Sequence, residues 1–381
     1  MTADATNPPS NGRLLEALPF WSSLCLVPVA WAGAIWGGWA LLLMPFSTWV
    51  LFSIIDVIKG LDTENADPST PDAALFWYKA ITVIWAPVQG LTLFGIIAYV
   101  AWSGHLVWWE RAGVGIGLGV MCGTIGIVYA HELMHRSTEL ERWMGDLLMA
   151  MALYSHFRSE HLLVHHRFVG TPRDAVTARF GENFHAYFLR VVSDTLPSAW
   201  QAEVERLQRR RKPVWHRSNP FWRYAALQLA FVALAALLGG WVGLGIFVLS
   251  AIIAIWQLEL VDYIEHYGLT RKHLGDGRYE PARTHHSWNA AHKASNWLLI
   301  NLQRHSDHHT KPGRRYPVLQ SVGPDEAPQL PYGYPMTTIM ALFPPIWRRV
   351  MDPKVGAWRE RFYPEIDDWS DYEAGTTPMP L

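Results

Sequence analysis

Charged side chains are scarce in this chain: Asp, Glu, Lys and Arg make up 17% of its 381 residues, where a soluble protein carries about a quarter. The net charge is −1, so no basic excess exists to neutralise a phosphate backbone, and nucleic acid is excluded as a partner. Cysteine is nearly missing. Cys25 and Cys122 both fall inside apolar runs, which excludes a disulfide framework or a cysteine-rich metal centre and predicts two buried thiols. The opening "MTADATNPPSNGRLLEALPF" has no basic n-region and no small-residue cleavage site, so no removable signal peptide is expected.

The scarcity of charge is concentrated. No charged residue occurs from Ala17 to Ile55, Ala80 to Trp109, Ala112 to Ala130 or Tyr224 to Leu258. A membrane-crossing helix needs ~20 apolar residues. The first and last runs are nearly twice that, and each holds a glycine pair near its middle, Gly37-Gly38 and Gly239-Gly240. Each is therefore read as a helical hairpin. With single spans near 80–102 and 112–134, the sequence predicts an all-α membrane protein of six transmembrane helices. Basic residues are retained on the cytoplasmic side of a bacterial inner membrane. With the N-terminus inside, the outer turns near 37–38, 103–111 and 239–240 contain one basic residue, Arg111. Both termini are thus placed in the cytoplasm. The expected organisation is a cytoplasmic segment 1–18, four spans over 19–134 and a cytoplasmic segment 135–220. A transmembrane hairpin 221–262, a cytoplasmic helical cap 263–366 and a disordered tail 367–381 follow. Gly115, Gly119 and Gly123 recur every four residues inside a span, which predicts close helix approach rather than a nucleotide-binding loop. The basic stretch "RLQRRRKPVWHR" at 206–217 suits anionic lipid headgroups or a docked protein equally.

Histidine is abundant, with 17 in all, and is grouped. "HELMH" at 131–135 fits the H-E-x-x-H of zinc proteases, and its two histidines share a helical face. "EHLLVHH" supplies His161, His165 and His166, and "RHSDHH" supplies His305, His308 and His309. "DYIEHYGL" leaves His266 at the inner end of the sixth span. All can meet at the cytoplasmic boundary of the bilayer. Nine buried imidazoles without a task would leave many ring nitrogens unsatisfied. A zinc protease uses three protein ligands and a water. Nine histidines suit two metals of four to five ligands each, although imidazole by itself does not name the metal. Each group has an acid beside it that can orient a ring N–H or offset metal charge: Glu132, Glu160, Asp262, Glu265 and Asp307. Glu132 is accordingly read as an orienting partner and not as a protease base. His285, His286 and His292 in "THHSWNAAH", and His156, lack the paired spacing and read as structural or supporting residues. His105 falls on the outer side, and His185, His216 and His273 are isolated.

At these boxes the sequence resembles the integral-membrane alkane 1-monooxygenases, within the wider superfamily of membrane desaturases and hydroxylases. The likeness is carried by HELMH at 131–135, EHLLVHHRFVGTPRDAVTARFGE at 160–182 and DYIEHYGL at 262–269. HHSWN at 285–289, LQRHSDHHTKPGRRYPVL at 302–319 and MDPKV at 351–355 belong to it too, so it extends from about the first span to residue 360. EHYG and LQRHSDHH narrow it to alkane hydroxylases. The resemblance implies that the same nine histidines ligate two non-haem iron ions, with O2 as co-substrate. It implies an n-alkane drawn from the bilayer, a 1-alkanol product, and electrons from rubredoxin, itself reduced by rubredoxin reductase. Met134 and Val164 stand where glycine is usual, and Asp262 where asparagine is usual; the first two put chain-length preference in question.

An unactivated methyl group offers no handle to acid–base or nucleophilic chemistry, so a redox metal and dioxygen must supply the oxidant. Shape is the only feature an alkane presents, which calls for a narrow apolar channel. Phe52, Ile55 and Trp256, with Met134 and Val164, are expected to line it. The two cysteines cannot form the four-thiolate site of a rubredoxin, so the donor docks from outside or is joined beyond the tail. Three other readings compete: a membrane fatty-acyl desaturase or hydroxylase on the same centre, an intramembrane zinc protease, and a transporter with a histidine relay. The last would need polar residues through the bilayer midplane.

Overall fold

A computed structural model describes residues 11–381, with side chains from Leu14; the first ten residues of the N-terminal segment lie outside it. Among the described residues, five helices are long and apolar enough to cross a membrane. Four come in succession: α1 (Leu14–Trp36), α2 (Gly38–Lys59), α3 (Asp72–Ser103) and α4 (Trp108–Met134). Then come α5 (Glu139–Met151), α6 (157–168) and α7 (Phe184–Arg209). The fifth long helix is α8 (Phe221–His266).

Both glycine pairs turn the chain. Gly37 and Gly38 have φ of 60° and 52°, the left-handed region that glycine enters without a Cβ clash. Gly240 (φ 57°, ψ −144°) breaks α8. Phe94 of α3 touches both Phe231 and Phe247, and a Cβ on Gly243 would lie 2.6 Å from the carbonyl oxygen of Ala235. α8 is therefore two antiparallel arms. The glycine stripe of α4 packs on the second arm as its spacing predicts. A Cβ on Gly119 would come within 2.5 Å of Ile253 Cβ, and one on Gly123 within 2.5 Å of Gln257 Oε1. At that separation Gln257 Nε2 donates to Thr124 Oγ1 at 2.9 Å.

Three stretches widen into π-helix: Phe46–Leu51 in α2, Cys122–Ile127 in α4 and His161–His165 in α6. A π turn inserts one residue and re-aims the side chains that follow. All three border the site described below.

The cap adds α9 (Lys293–Leu298), α10 (His305–Thr310), α11 (Tyr334–Ala341) and α12 (Pro344–Phe362). It contains no sheet among the described residues, only isolated bridges. Polar ties hold it to the long helices. Asp56, near the end of α2, accepts the N–H of Ser295 at 2.8 Å. Arg136, just after α4, donates to the carbonyls of Pro312, Gly313 and Arg314.

Two expectations are corrected. Cys122 is buried but Cys25 is exposed on α1, because the outer face of an apolar bundle is itself apolar. The tail from Asp367 is folded, not disordered. A short helix, α13 (Ser370–Ala374), follows Trp369, which packs on Trp358 and Arg359. The Tyr372 hydroxyl accepts the N–H of His273 at 3.1 Å, and the Leu381 N–H donates to Gly277. Two aromatic anchors outweigh the acidic, linker-like composition.

Candidate metal centre and apolar cavity

Box one ends α4, box two lies on the π turn of α6, His266 ends α8, and box three forms α10. The nine histidines singled out by spacing all converge, in two groups. His131, His135, His161, His166 and His308 form one; His165, His266, His305 and His309 form the other. Within each group every ring offers a nitrogen within 4.8 Å of all the others. The division cuts across the boxes. One residue is about 100° of helix, so the consecutive pairs His165-His166 and His308-His309 each send one ring to either group.

The donor sets fit metal ions. Nε2 of His135, His161 and His166 stand 2.9 to 3.3 Å apart, and Nε2 of His305 is 3.1 Å from His266 and 3.0 Å from His309. A neutral ring carries one N–H, so a triangle of such nitrogens cannot be satisfied internally. Bonds of ~2.0–2.1 Å to a common metal produce edges of this length. The buried Nε2 atoms of His165 and His308 have no hydrogen-bond partner, a cost that ligation removes. Burial, then the neighbouring rings, keeps His161, His166, His305, His308 and His309 well below the ordinary imidazole range. They are neutral and ready to ligate at pH 7.

The carboxylates are arranged differently from expectation. His165 Nδ1 donates to Asp174 Oδ2 at 3.0 Å, with both side chains buried. Asp174 also accepts from Thr177 Oγ1 at 2.7 Å and from the Val176 N–H at 3.2 Å. Sequence reasoning missed Asp174: it lies in an irregular turn nine residues after its partner, where no periodicity marks it. Glu265 Oε1 is 3.3 Å from His305 Nδ1. Glu160 is buried with neither oxygen hydrogen-bonded, and Asp262 borders the cavity described next. Glu132 and Asp307 are taken up by arginines: Glu132 by Arg136 at 3.4 Å, Asp307 by Arg314 at 2.5 Å. They brace the loop after α10. With Glu132 so engaged and two histidine groups present, the protease reading fails.

A third cluster, Glu280, His285 and His286, satisfies itself. The Tyr363 hydroxyl meets Nε2 of His286 at 2.7 Å and of His285 at 3.2 Å, and donates to Glu280. Burial opposes ionisation of Glu280, but hydrogen bonds from His286 and Tyr363 outweigh it and hold the carboxyl at about 2. This is a structural network. His292 is outside it, as are His156, His185, His216 and His273. His105 bonds near Ser103 and Ala34, at the opposite end of α3 and α4 from the nine rings.

A narrow cavity of about 60 Å³ touches one ring of each group, His131 and His305. Its walls come from the π turns (Thr48, Trp49, Gly123, Thr124), from Leu258 and Val261 of α8, and from Leu299, Leu302, Tyr334 and Thr338 of the cap. None of Phe52, Ile55, Met134, Val164 and Trp256 lines it. Trp256 turns instead to Trp49 and Phe184. Val164 packs with Phe168 and Ala202, and Met134 sits in the main core. The cavity does take residues from α2 and α8, the two helices expected to line a channel, but from other faces of them. The extra residue in the π turn of α2 shifts its phase, and α8 presents the face beside Trp256. α11 forms a partition: Tyr334 and Thr338 face the cavity, while Met336, Ile339 and Met340 line an apolar groove of about 520 Å³ beside the end of α2.

Residues 106–339 match the Fatty acid desaturase family. The chain is 37% identical over 352 residues to "Alkane 1-monooxygenase 2" of Pseudomonas aeruginosa, covering 90% of this chain and 89% of that protein. It is 35% identical over 356 residues to "Alkane 1-monooxygenase 2" of Alcanivorax borkumensis, covering 90% and 91%. At 28% identity over 346 residues, or 88% and 89%, it aligns with the "Xylene/toluene monooxygenase hydroxylase component" of Pseudomonas putida.

Proposed function

Because the chain belongs to the fatty acid desaturase family and, within it, to the alkane 1-monooxygenases, we propose that it is a rubredoxin-dependent, di-iron hydroxylase of medium- to long-chain n-alkanes. It is an integral membrane monooxygenase that hydroxylates the terminal carbon of an alkane. His131, His135, His161, His166 and His308 hold one iron, and His165, His266, His305 and His309 the other. Once bound, the irons supply dioxygen activation for the balance R–CH3 + O2 + 2 e− + 2 H+ → R–CH2OH + H2O.

The chain's own residues do the rest. The apolar walls of the cavity receive the methyl end of the chain at the edge shared by His131 and His305. Leu258, Val261 and Leu302 exclude water from that end. Asp174 fixes the tautomer of His165 so that Nε2 faces its group. The alkane dissolves in the bilayer, collects in the groove beside α2 and passes α11 into the cavity. α8 contributes two crossings, six in all. The segments 1–18, 135–220 and 263–366 then stand on the cytoplasmic face of an inner membrane, where rubredoxin docks.

The observation that carries this reading is the five-plus-four division of the histidines around one apolar cavity. The test is metal analysis of purified protein with turnover of dodecane, using added rubredoxin and its reductase. Two irons per chain and 1-dodecanol are expected. A single zinc, or turnover of an acyl ester in place of the alkane, would overturn it.

A further inference from the structure

α7 and the loop after it take no part in the chemistry. α7 crosses the foot of the α8 hairpin. At one end Phe184 packs on Trp256 and Tyr263 of the second arm; at the other, Trp200 meets Phe221, where the first arm begins, with ring centroids 5.0 Å apart. The two arms reach the same membrane boundary, so a helix joining their feet lies along that boundary. One face of α7 is buried through Tyr187, Val191, Thr195, Ala199 and Leu207. Another face carries a second apolar stripe, three and four residues apart: Leu189 is 73% exposed, Val192 39% and Leu196 49%. A helix at a protein surface in water hides its apolar stripe and shows a polar one; this helix shows both.

The stripe leads into an aromatic clasp. Trp200 touches Trp215 and Trp215 touches Trp222, and the last two are 65% and 52% exposed. Tryptophan concentrates at headgroup depth. Beside the clasp stand Arg209, Arg210, Arg211, Lys212 and Arg217, all but Lys212 exposed. Arg206 is neutralised by Glu203 and Arg173 by Glu205; Glu205 also attracts Arg209 at longer range, and among the described residues none of those five cations sits in a direct ion pair.

We propose that α7 and the loop to Trp222 are a seat for acidic phospholipid. The stripe Leu189–Val192–Leu196 is immersed among acyl chains of the leaflet on the histidine side. Trp215 and Trp222 lie at headgroup depth, and the five cations engage headgroup phosphates. An acidic protein could use the same cations, but it would not account for an apolar stripe and two bare indoles beside the start of a membrane-crossing arm.

The test uses full-length protein in nanodiscs of mixed phosphatidylglycerol and phosphatidylcholine. After gentle extraction, native mass spectrometry counts the lipids retained. The wild type should keep phosphatidylglycerol several-fold over phosphatidylcholine. R209Q/R210Q/R211Q/K212Q should lose that preference with iron content and dodecane turnover unchanged, and R209K/R210K/R211K should keep it. Equal retention by wild type and the glutamine variant overturns the headgroup contact. So does a raised KM for the electron donor with lipid preference intact, which would assign the cations to a docked acidic protein. Depth is read separately, with spin labels on Leu189→Cys and Leu196→Cys in a Cys25→Ser background. Labels relaxed by oxygen more than by a water-soluble nickel chelate support immersion; the reverse overturns it.

Discussion

His165 and His166 are neighbours in the chain and belong to different metal groups, so single substitutions should separate the two sites. His266→Ala removes one of four rings from the second group and leaves the five-ring group intact. Iron per chain should fall from two toward one, with turnover lost; unchanged iron would remove His266 from the ligand set. Asp174 acts through His165. Asp174→Asn keeps an acceptor but loses the charge, and iron affinity at the four-ring group should drop by about 10–100-fold, measured by competition with a chelator. The same rings set a pH dependence. In the metal-free fold, burial holds His161, His166, His305, His308 and His309 neutral, whereas unfolded histidine titrates near 6.5. Below that value the unfolded chain binds protons that the fold refuses, so stability falls as pH falls, by up to ~1.4 kcal/mol per ring per pH unit. The melting temperature of iron-stripped protein should therefore drop steadily from pH 7.5 to pH 5.5; a flat profile would contradict the neutral rings.

Two helix contacts test the packing that forms the site and the route proposed into it. Where α4 meets the second arm of α8, a Cβ on Gly119 would be 2.5 Å from Ile253 Cβ and 2.7 Å from the Ser250 carbonyl. Gly119→Ala should cost about 1–3 kcal/mol through overpacking, seen in thermal unfolding. Gly245→Ala, with nothing within 4 Å of the new Cβ, should change stability by less than about 0.5 kcal/mol. At α11, Ile339 faces the outer groove and not the cavity. Ile339→Trp should raise KM for dodecane by on the order of tenfold and leave kcat near wild type, since ground-state access is impeded and the chemistry is not. An unchanged KM would close this route. Here the sequence showed less. Hairpins and the glycine stripe were legible because glycine marks backbone positions directly. The cavity faces were not, because π turns at 46–51 and 122–127 shift the helical phase without a residue signature.

For the molecule as a whole, nine imidazoles from four separated places on the chain come together, six of them buried and His131, His135 and His166 half-buried. Metal binding to the fold alone stabilises it by mass action, about 4 kcal/mol per site at a thousandfold excess over Kd. Chelation should thus lower the melting temperature, and ferrous iron should restore it. The sequence by itself determined that the chain lives in a membrane, because ~20-residue runs without charge have no other stable environment. It also singled out the nine histidines that converge, because rings three and four residues apart crowd one side of a helix. Only the tertiary structure decided which ring joins which group, that Asp174 orients His165, that Glu132 and Asp307 serve arginines, and that Trp369 and Tyr372 pin the tail. Those outcomes turn on distances between segments far apart in the chain, and local periodicity carries no information about them.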